Sequence, residues 1–221
     1  MDVINKIYKT LHKQYGPQGW WPLFNAKTGK FEYHKGDYSL PKNDAQRFEI
    51  CVGAILTQNT SWVQAEKALL NLEKINALSP NAILKMSMEK LSAIIKPSGY
   101  FRQKAKKLKE FTKFYNSLNS SIPKREELLS VWGIGNETAD SMLLYSFKVP
   151  TFVVDSYTKR IVSSLGLISA KDSYDEIKAF FEKNLKPDIK IYQEYHALIV
   201  EHAKHHYSKK PYGSGCFLRK G

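Results

Sequence analysis

Two cysteines in 221 residues, Cys51 inside an apolar run and Cys216 near the end, are too few for a disulfide framework or a four-cysteine metal cluster. Carboxylates are also scarce: 21 Asp plus Glu stand against 34 Lys plus Arg, a net charge of +13. Such a field favours a polyanion, either nucleic acid or an anionic membrane surface, although a basic surface also serves solubility alone. No apolar run approaches the roughly 20 residues that a spanning helix needs, and residues 1–15 lack the apolar stretch of a secretion signal. A soluble intracellular protein of a reducing compartment is therefore expected. Repeats, low-complexity tracts and long linkers are missing too. With 43% hydrophobic residues, the chain suits one compact unit or two lobes with a real core.

What the chain has in quantity is helix starts. Ser61-Trp62-Val63-Gln64 and Ser173-Tyr174-Asp175-Glu176 fit the capping box, and Ser79-Pro80 and Ser87 offer two further caps. "FEICVGAIL" (48–56) is apolar at nearly every position, as in a helix buried on several sides at the centre of a bundle. In "YFRQKAKKLKEFTKFYNSL" (100–118), Phe101, Ala105, Leu108, Thr112, Tyr115 and Leu118 recur at helical spacing. Arg102, Lys104, Lys106, Lys107, Lys109 and Lys113 fall mostly elsewhere, giving an amphipathic helix with a basic outer face. "TFVVD" (151–155) is β-rich but too short and isolated for a sheet. The expected fold class is all-α.

"VWGIG" (131–135) separates an amphipathic helix over 125–130 from a second helix over about 136–147. Gly133 and Gly135 can take positive φ and carry no Cβ, so this backbone can approach a phosphate chain, with the amides of the second helix helping. An ordinary αα-hairpin would use glycines for its turn in the same way. The pattern alone leaves both open.

Four stretches together carry a resemblance. "FEICVGAILTQNT", "PSGYFRQKAKKL", "LLSVWGIGNETAD" and "VVDSYTKRI" occur in order, and with these separations the chain resembles the endonuclease III superfamily of helix-hairpin-helix DNA glycosylases over about 48–160. A weaker match continues through "EHAKHHYSKKPYGSGC". The resemblance implies two helical lobes with DNA and the extruded base between them: a six-helix barrel with the hairpin over 39–149, and a second lobe from 1–38 plus 150–221. The implied partner is double-stranded DNA containing damaged bases, bound by a monomer, with no membrane involved. It also implies an alkali cation on the carbonyls of Leu129, Val131 and Ile134.

Asp155 matches the family's catalytic aspartate, which stabilises the oxocarbenium-like sugar and orients water. As an Asp ahead of "SYTKRI" it is equally well placed to cap a helix. Bifunctional relatives carry a Schiff-base lysine where this chain has Glu137, and a carboxylate cannot form an imine. The departure implies a monofunctional glycosylase. Many relatives also hold a four-iron cluster on four cysteines, of which only Cys216 remains, so no iron–sulfur cluster and no other cofactor is expected.

"GWWPLF" resembles the aromatic entry of the cluster-free branch that removes 3-methyladenine. By that resemblance Trp20, Trp21 and Phe48 wall the base pocket, and aromatic faces suit cationic methylated purines. Lys204, at the family's "HGR" arginine, would have to pair with Glu201, be modified or point away to avoid repelling such a base. Gln58 would fill the gap left by the flipped nucleotide, and Tyr100 would wedge into the opposite strand. Lys104, Lys209 and Lys210 join Gly133 and Gly135 as candidate backbone contacts. Three alternatives stay open: a uracil or thymine mismatch glycosylase of the same superfamily, a non-catalytic hairpin DNA-binding module, and a zinc site built on His202 and His206 with His205, His196 and Cys216 nearby.

Overall fold

The structure, a computed structural model, describes residues 3–220. Among them are eleven α-helices and one two-stranded hairpin, distributed over two compact units.

The central unit comprises Trp21–Glu32 and Ser39–Phe147. Its axis is α2 (Asp44–Leu56), capped by Asn43, whose side chain accepts from the Gln46 amide; every residue from Phe48 to Leu56 is buried. Around it stand α3 (Trp62–Glu73), α6 (Phe101–Ser117) and α8 (Asn136–Ser141), the last running straight into a π-helical turn at Met142–Ser146. The short helices α4 (Pro80–Lys85) and α5 (Met88–Ile94) pack on α6, and α7 (Arg125–Ser130) packs on α8. Ser79 and Ser87 cap α4 and α5 as expected. Ser61 stands at the N-cap of α3 but its hydroxyl makes no capping bond, so that box does not form.

A hairpin of β1 (Leu23–Asn25) and β2 (Lys30–Glu32), paired Leu23 to Glu32, is the element the sequence does not announce. Residues 21–32 belong with the central unit and not, as the resemblance implies, with the second lobe. The reason is local: the Phe24 amide donates to Glu49 of α2 at 2.7 Å, and Trp21 packs edge-on against Trp62 and Tyr145. Burial raises the Glu49 carboxyl to about 7, opposed by that amide.

The terminal unit comprises 3–20, 33–38 and 148–220. Here α1 (Val3–Tyr15), α9 (Ser156–Ser164) and α10 (Tyr174–Asn184) surround α11 (Ile189–His206), with α1 and α9 packed directly on it. Ser173 and Glu176 close the capping box of α10. "TFVV" crosses the core as extended, buried chain without pairing into a sheet: Phe152 stacks on Phe181 at 4.1 Å and meets Tyr192 and Tyr195 edge-on.

Candidate active site and nucleic-acid interface

In the terminal unit, Asp155 is the N-cap of α9. Its Oδ1 accepts from both the amide and the hydroxyl of Thr158 at 2.7 Å. Oδ2 faces Nε2 of the buried His196 on α11 at 3.9 Å. Burial pulls the His196 pKa down, opposed by the Asp155 charge, so the imidazole is neutral near pH 7. The His196 and Trp20 rings stand perpendicular, their centroids 5.7 Å apart, and a single buried side chain thus links the carboxylate to the aromatic entry.

Trp20 is held by its neighbour. Gly19 sits at φ +71, its carbonyl accepts from the His34 amide at 2.9 Å, and a Cβ there would collide with the His34–Lys35 backbone. Tyr33 consequently lies beside Trp20, ring centroids 6.4 Å apart. A cavity of about 280 Å³ is lined by Tyr15, Gln18, Trp20, Tyr33, Lys35, Glu201 and Lys204. Glu201 accepts from Lys204 at 2.8 Å and lies 3.2 Å from His205 Nε2; those bonds and charges hold its carboxyl below the ordinary range although burial pushes the other way. Of the residues singled out from sequence, the structure brings Trp20 and Lys204 to one cavity. Tyr15, Gln18, Tyr33 and Lys35 were missed there, and Glu201 was legible only as the partner of Lys204, three residues away on a helix.

Two expected pocket walls are corrected. Phe48 is fully buried in the core of the central unit, against Phe111 and the edge of Tyr115. Trp21 is 9% exposed and lies over Gly53 of α2, where a Cβ would come within 3.0 Å of its indole nitrogen. Both rings are packing, because apolar area at these positions is worth more inside α2's sheath than at a surface.

The hairpin of the central unit is stapled from within. Arg125 of α7 makes a two-pronged ion pair with the fully buried Asp140 of α8, at 2.9 and 3.2 Å. Gly133 takes φ +85, as the turn requires, but Gly135 is the N-cap of α8 at φ −101 and does not need a glycine's backbone freedom. Gly135 has open space where a side chain would stand, whereas a Cβ on Gly133 would lie 2.5 Å from Lys107. Gln58 donates to the Gly133 carbonyl at 3.1 Å and to the Thr138 hydroxyl at 2.9 Å, and accepts from Lys107 at 2.5 Å. Tyr100, 66% exposed, precedes α6 in the left-handed region at φ 44. Glu137 is exposed in the first turn of α8.

Lys104 is not a surface contact. It is 1% exposed, its ammonium donates to the carbonyls of Leu56 and Ser98 at 2.8 and 2.6 Å, and burial together with Lys107 lowers it to about 8. It closes the C-terminal end of α2. Lys209 and Lys210 are exposed.

The histidines weighed as metal ligands face other partners, although the rings of His202 and His206 lie 4.6 Å apart. His202 Nε2 lies 3.2 Å from Cys216 Sγ and its Nδ1 2.9 Å from the Tyr15 hydroxyl, His206 reaches the Ser214 carbonyl, and His196 faces Asp155. No group of three or more His, Cys, Asp or Glu among the described residues is arranged to hold a metal ion. Cys216 is buried between His202 and Tyr207, and a four-cysteine cluster does not fit a chain with two cysteines.

A family model described as HhH-GPD superfamily base excision DNA repair protein matches residues 52–187. The chain belongs to the HhH-GPD superfamily. A provisionally named DNA repair glycosylase of Methanocaldococcus jannaschii is 44% identical over 99% of this chain and 95% of its own length. Endonuclease III of Thermotoga maritima is 30% identical, over 68% of this chain and 71% of its own. Among solved structures, the H. pylori 3-methyladenine DNA glycosylase bound to 1,N6-ethenoadenine has a TM-score of 0.71 at 28% identity, covering 93% of this chain and 98% of that one. An endonuclease III bound non-covalently to DNA shares the fold, with a TM-score of 0.76 at 19% identity over 99% and 94%. This HhH-GPD protein is accordingly a DNA glycosylase of base excision repair, with DNA as its partner. No helix among the described residues is long and apolar enough to cross a membrane.

Proposed function

We propose that the protein is a monofunctional DNA N-glycosylase that extrudes alkylated purines such as 3-methyladenine and removes them by attack of water. The observation that carries this reading is the pair of carboxylates: Asp155, fixed by Thr158 and facing neutral His196, and Glu137, at the position where bifunctional relatives carry their lysine. As the glycosidic bond breaks, positive charge develops on the sugar; the Asp155 carboxylate stabilises it and orients the water that adds to C1′. No amine at 137 stands ready to form an imine.

The cavity supports the base class. Three aromatic side chains, Tyr15, Trp20 and Tyr33, give electron-rich faces that suit a cationic purine, and Glu201 pairs with Lys204 so that this ammonium does not stand unopposed beside it. The likeness to the H. pylori enzyme points the same way. Gly133 and Gly135 receive a backbone phosphate, and Lys209 and Lys210 add contacts. Main-chain oxygens of Leu129, Val131 and Ile134 are the donor type that a hard alkali cation takes, and the Val131 carbonyl keeps a second lone pair beside the bond it accepts from the Ile134 amide at 3.0 Å. Tyr100 parts the opposite strand, and Gln58 fills the gap on releasing the bonds that hold it to Gly133, Thr138 and Lys107 in the unbound protein. The deciding experiment is chromatography of bases released from methylated DNA, uracil-containing DNA and G·T mismatched DNA. Release of 3-methyladenine is expected; release of uracil or thymine alone would replace this reading by the mismatch-repair alternative.

A further inference from the structure

The hairpin does not stand alone in the central unit: two successive lysines of α6 hold its tip from two sides. Lys106 places its ammonium 4.3 Å from the centre of the Trp132 ring, and Trp132 is half exposed although it is among the largest apolar side chains of the protein. Lys107 lays its stem across Gly133, its Cγ, Cδ and Cε all occupying the space that a Cβ would enter. Its ammonium ends on the Gln58 carboxamide, which is itself anchored to the Gly133 carbonyl and to Thr138. Glycine at 133 thus has a second cause beyond its positive φ: it makes room for a lysine stem from another helix.

Each of these contacts is to a neutral group, an indole face or an amide. Neither lysine is ion-paired with a carboxylate among the described residues, in contrast to Lys113, Lys178 and Lys204. Lys107 is partly desolvated, which lowers its pKa, and an ammonium so placed gains from an anion more than a fully hydrated surface lysine does. Contacts to hairpin residues also restrict both side chains in advance, so that less conformational entropy is lost when an anion arrives.

We infer that Lys106 and Lys107 belong to the DNA-backbone site of this protein, as two preset phosphate ligands flanking the hairpin tip, with Trp132 and Gly133 serving to hold them. The ligand is a pair of neighbouring phosphates on one strand of duplex DNA, whatever its base. Lys104, one turn away, is excluded from that role by its burial.

The test is the salt dependence of binding to an undamaged duplex, which does not involve base removal and so stands or falls separately from the proposed activity. Each phosphate neutralised by a lysine contributes about 0.9 to the slope of log K against log salt. Lys106→Gln and Lys107→Gln should each lower the slope by about 0.9 and weaken binding about eightfold at 0.1 M salt, equally on damaged and undamaged DNA. Lys106→Arg should restore the slope. Trp132→Ala should weaken binding in the same direction by less. Thermal unfolding confirms that the variants are folded, and a misfolded Lys107 variant leaves Lys106 as the complete test. If affinity falls while the slope stays that of the unaltered protein, the lysines only shape the hairpin and the inference is wrong; a loss confined to damaged duplexes would overturn it as well.

Discussion

Asp155→Asn is the most informative single change, because it separates the capping duty that the structure shows for this carboxylate from the catalytic duty proposed for it. As the N-cap of α9 it accepts two hydrogen bonds through Oδ1, both from Thr158 at 2.7 Å. Asparagine keeps a carbonyl oxygen at that place and caps helices about as well as aspartate, so the Asn variant should unfold within a few tenths of a kcal/mol of the original protein. Asp155→Ala loses the cap and should cost about 1 kcal/mol, or about 2–4 °C in Tm for a chain of this size. Activity should sort the variants differently. Both lack the charge that faces the developing cation, and loss of one such preset group costs about 10² to 10³ in rate, or about 2.7–4 kcal/mol. Single-turnover release of 3-methyladenine with enzyme in excess, read beside thermal unfolding and duplex binding, distinguishes the two duties. The expected pattern is Asn stable and inactive, Ala less stable and equally inactive, with binding kept in both. An Asn variant that is folded, binds DNA and releases base within about fivefold of the original rate would refute the catalytic assignment and leave Asp155 a cap only.

Three further outcomes are expected. Glu49, raised to about 7 by burial, binds in the folded state a proton that the unfolded chain releases near 4.5; stability should therefore fall as pH rises through that window, by at most about 1.4 kcal/mol per unit, and Glu49→Gln should flatten a Tm-against-pH profile. Trp20→Ala should slow excision of cationic 3-methyladenine by up to about thirtyfold while Tm moves little, whereas Trp21→Ala should cost about 3–5 kcal/mol of stability; loss of excision that merely tracks Tm in both would remove Trp20 from the pocket. Borohydride added during turnover on methylated DNA should trap no covalent adduct, and an efficiently trapped complex would overturn the monofunctional reading.

Legibility in the sequence followed how local the cause was. Caps whose bonds close within three residues, at Ser79, Ser87 and Ser173, were readable, as was the burial of 48–56 from its unbroken apolarity. Asp155 was readable both as cap and as candidate catalyst. Ser61 shows the limit, since a correct pattern does not ensure that the hydroxyl turns inward. The β hairpin at 23–32 was invisible because its stability comes from Glu49 and Trp62, far along the chain, and not from β-propensity over three-residue strands. Phe48 and Trp21 were assigned to the pocket by likeness alone, and an aromatic side chain carries no mark telling a core position from a wall. His196 sits at a helical position where a core histidine and a site histidine look the same; only the fold places it between Asp155 and Trp20.

The basic residues of α6 show why charge is a poor guide to contact until the helix is placed. An α-helix turns about 100° per residue, so Lys104, Lys106, Lys107 and Lys109 leave the axis in four directions. Lys104 turns inward to the carbonyls of Leu56 and Ser98, and Lys109 donates to Leu84 and Met86 at the join of α4 and α5. In the terminal unit Lys148 likewise donates to the Tyr38 carbonyl at 3.3 Å, and burial lowers it to about 8. These three cations answer backbone carbonyls that would otherwise be buried at a cost, and they count toward the net charge of +13 without lying free for a phosphate. Lys106 and Lys107 differ because their ammonium groups meet an indole face and a carboxamide, and not backbone carbonyls, and both side chains lie against the hairpin tip at Trp132 and Gly133. Charge that is fixed on the hairpin, and not charge in total, is what a salt titration should detect.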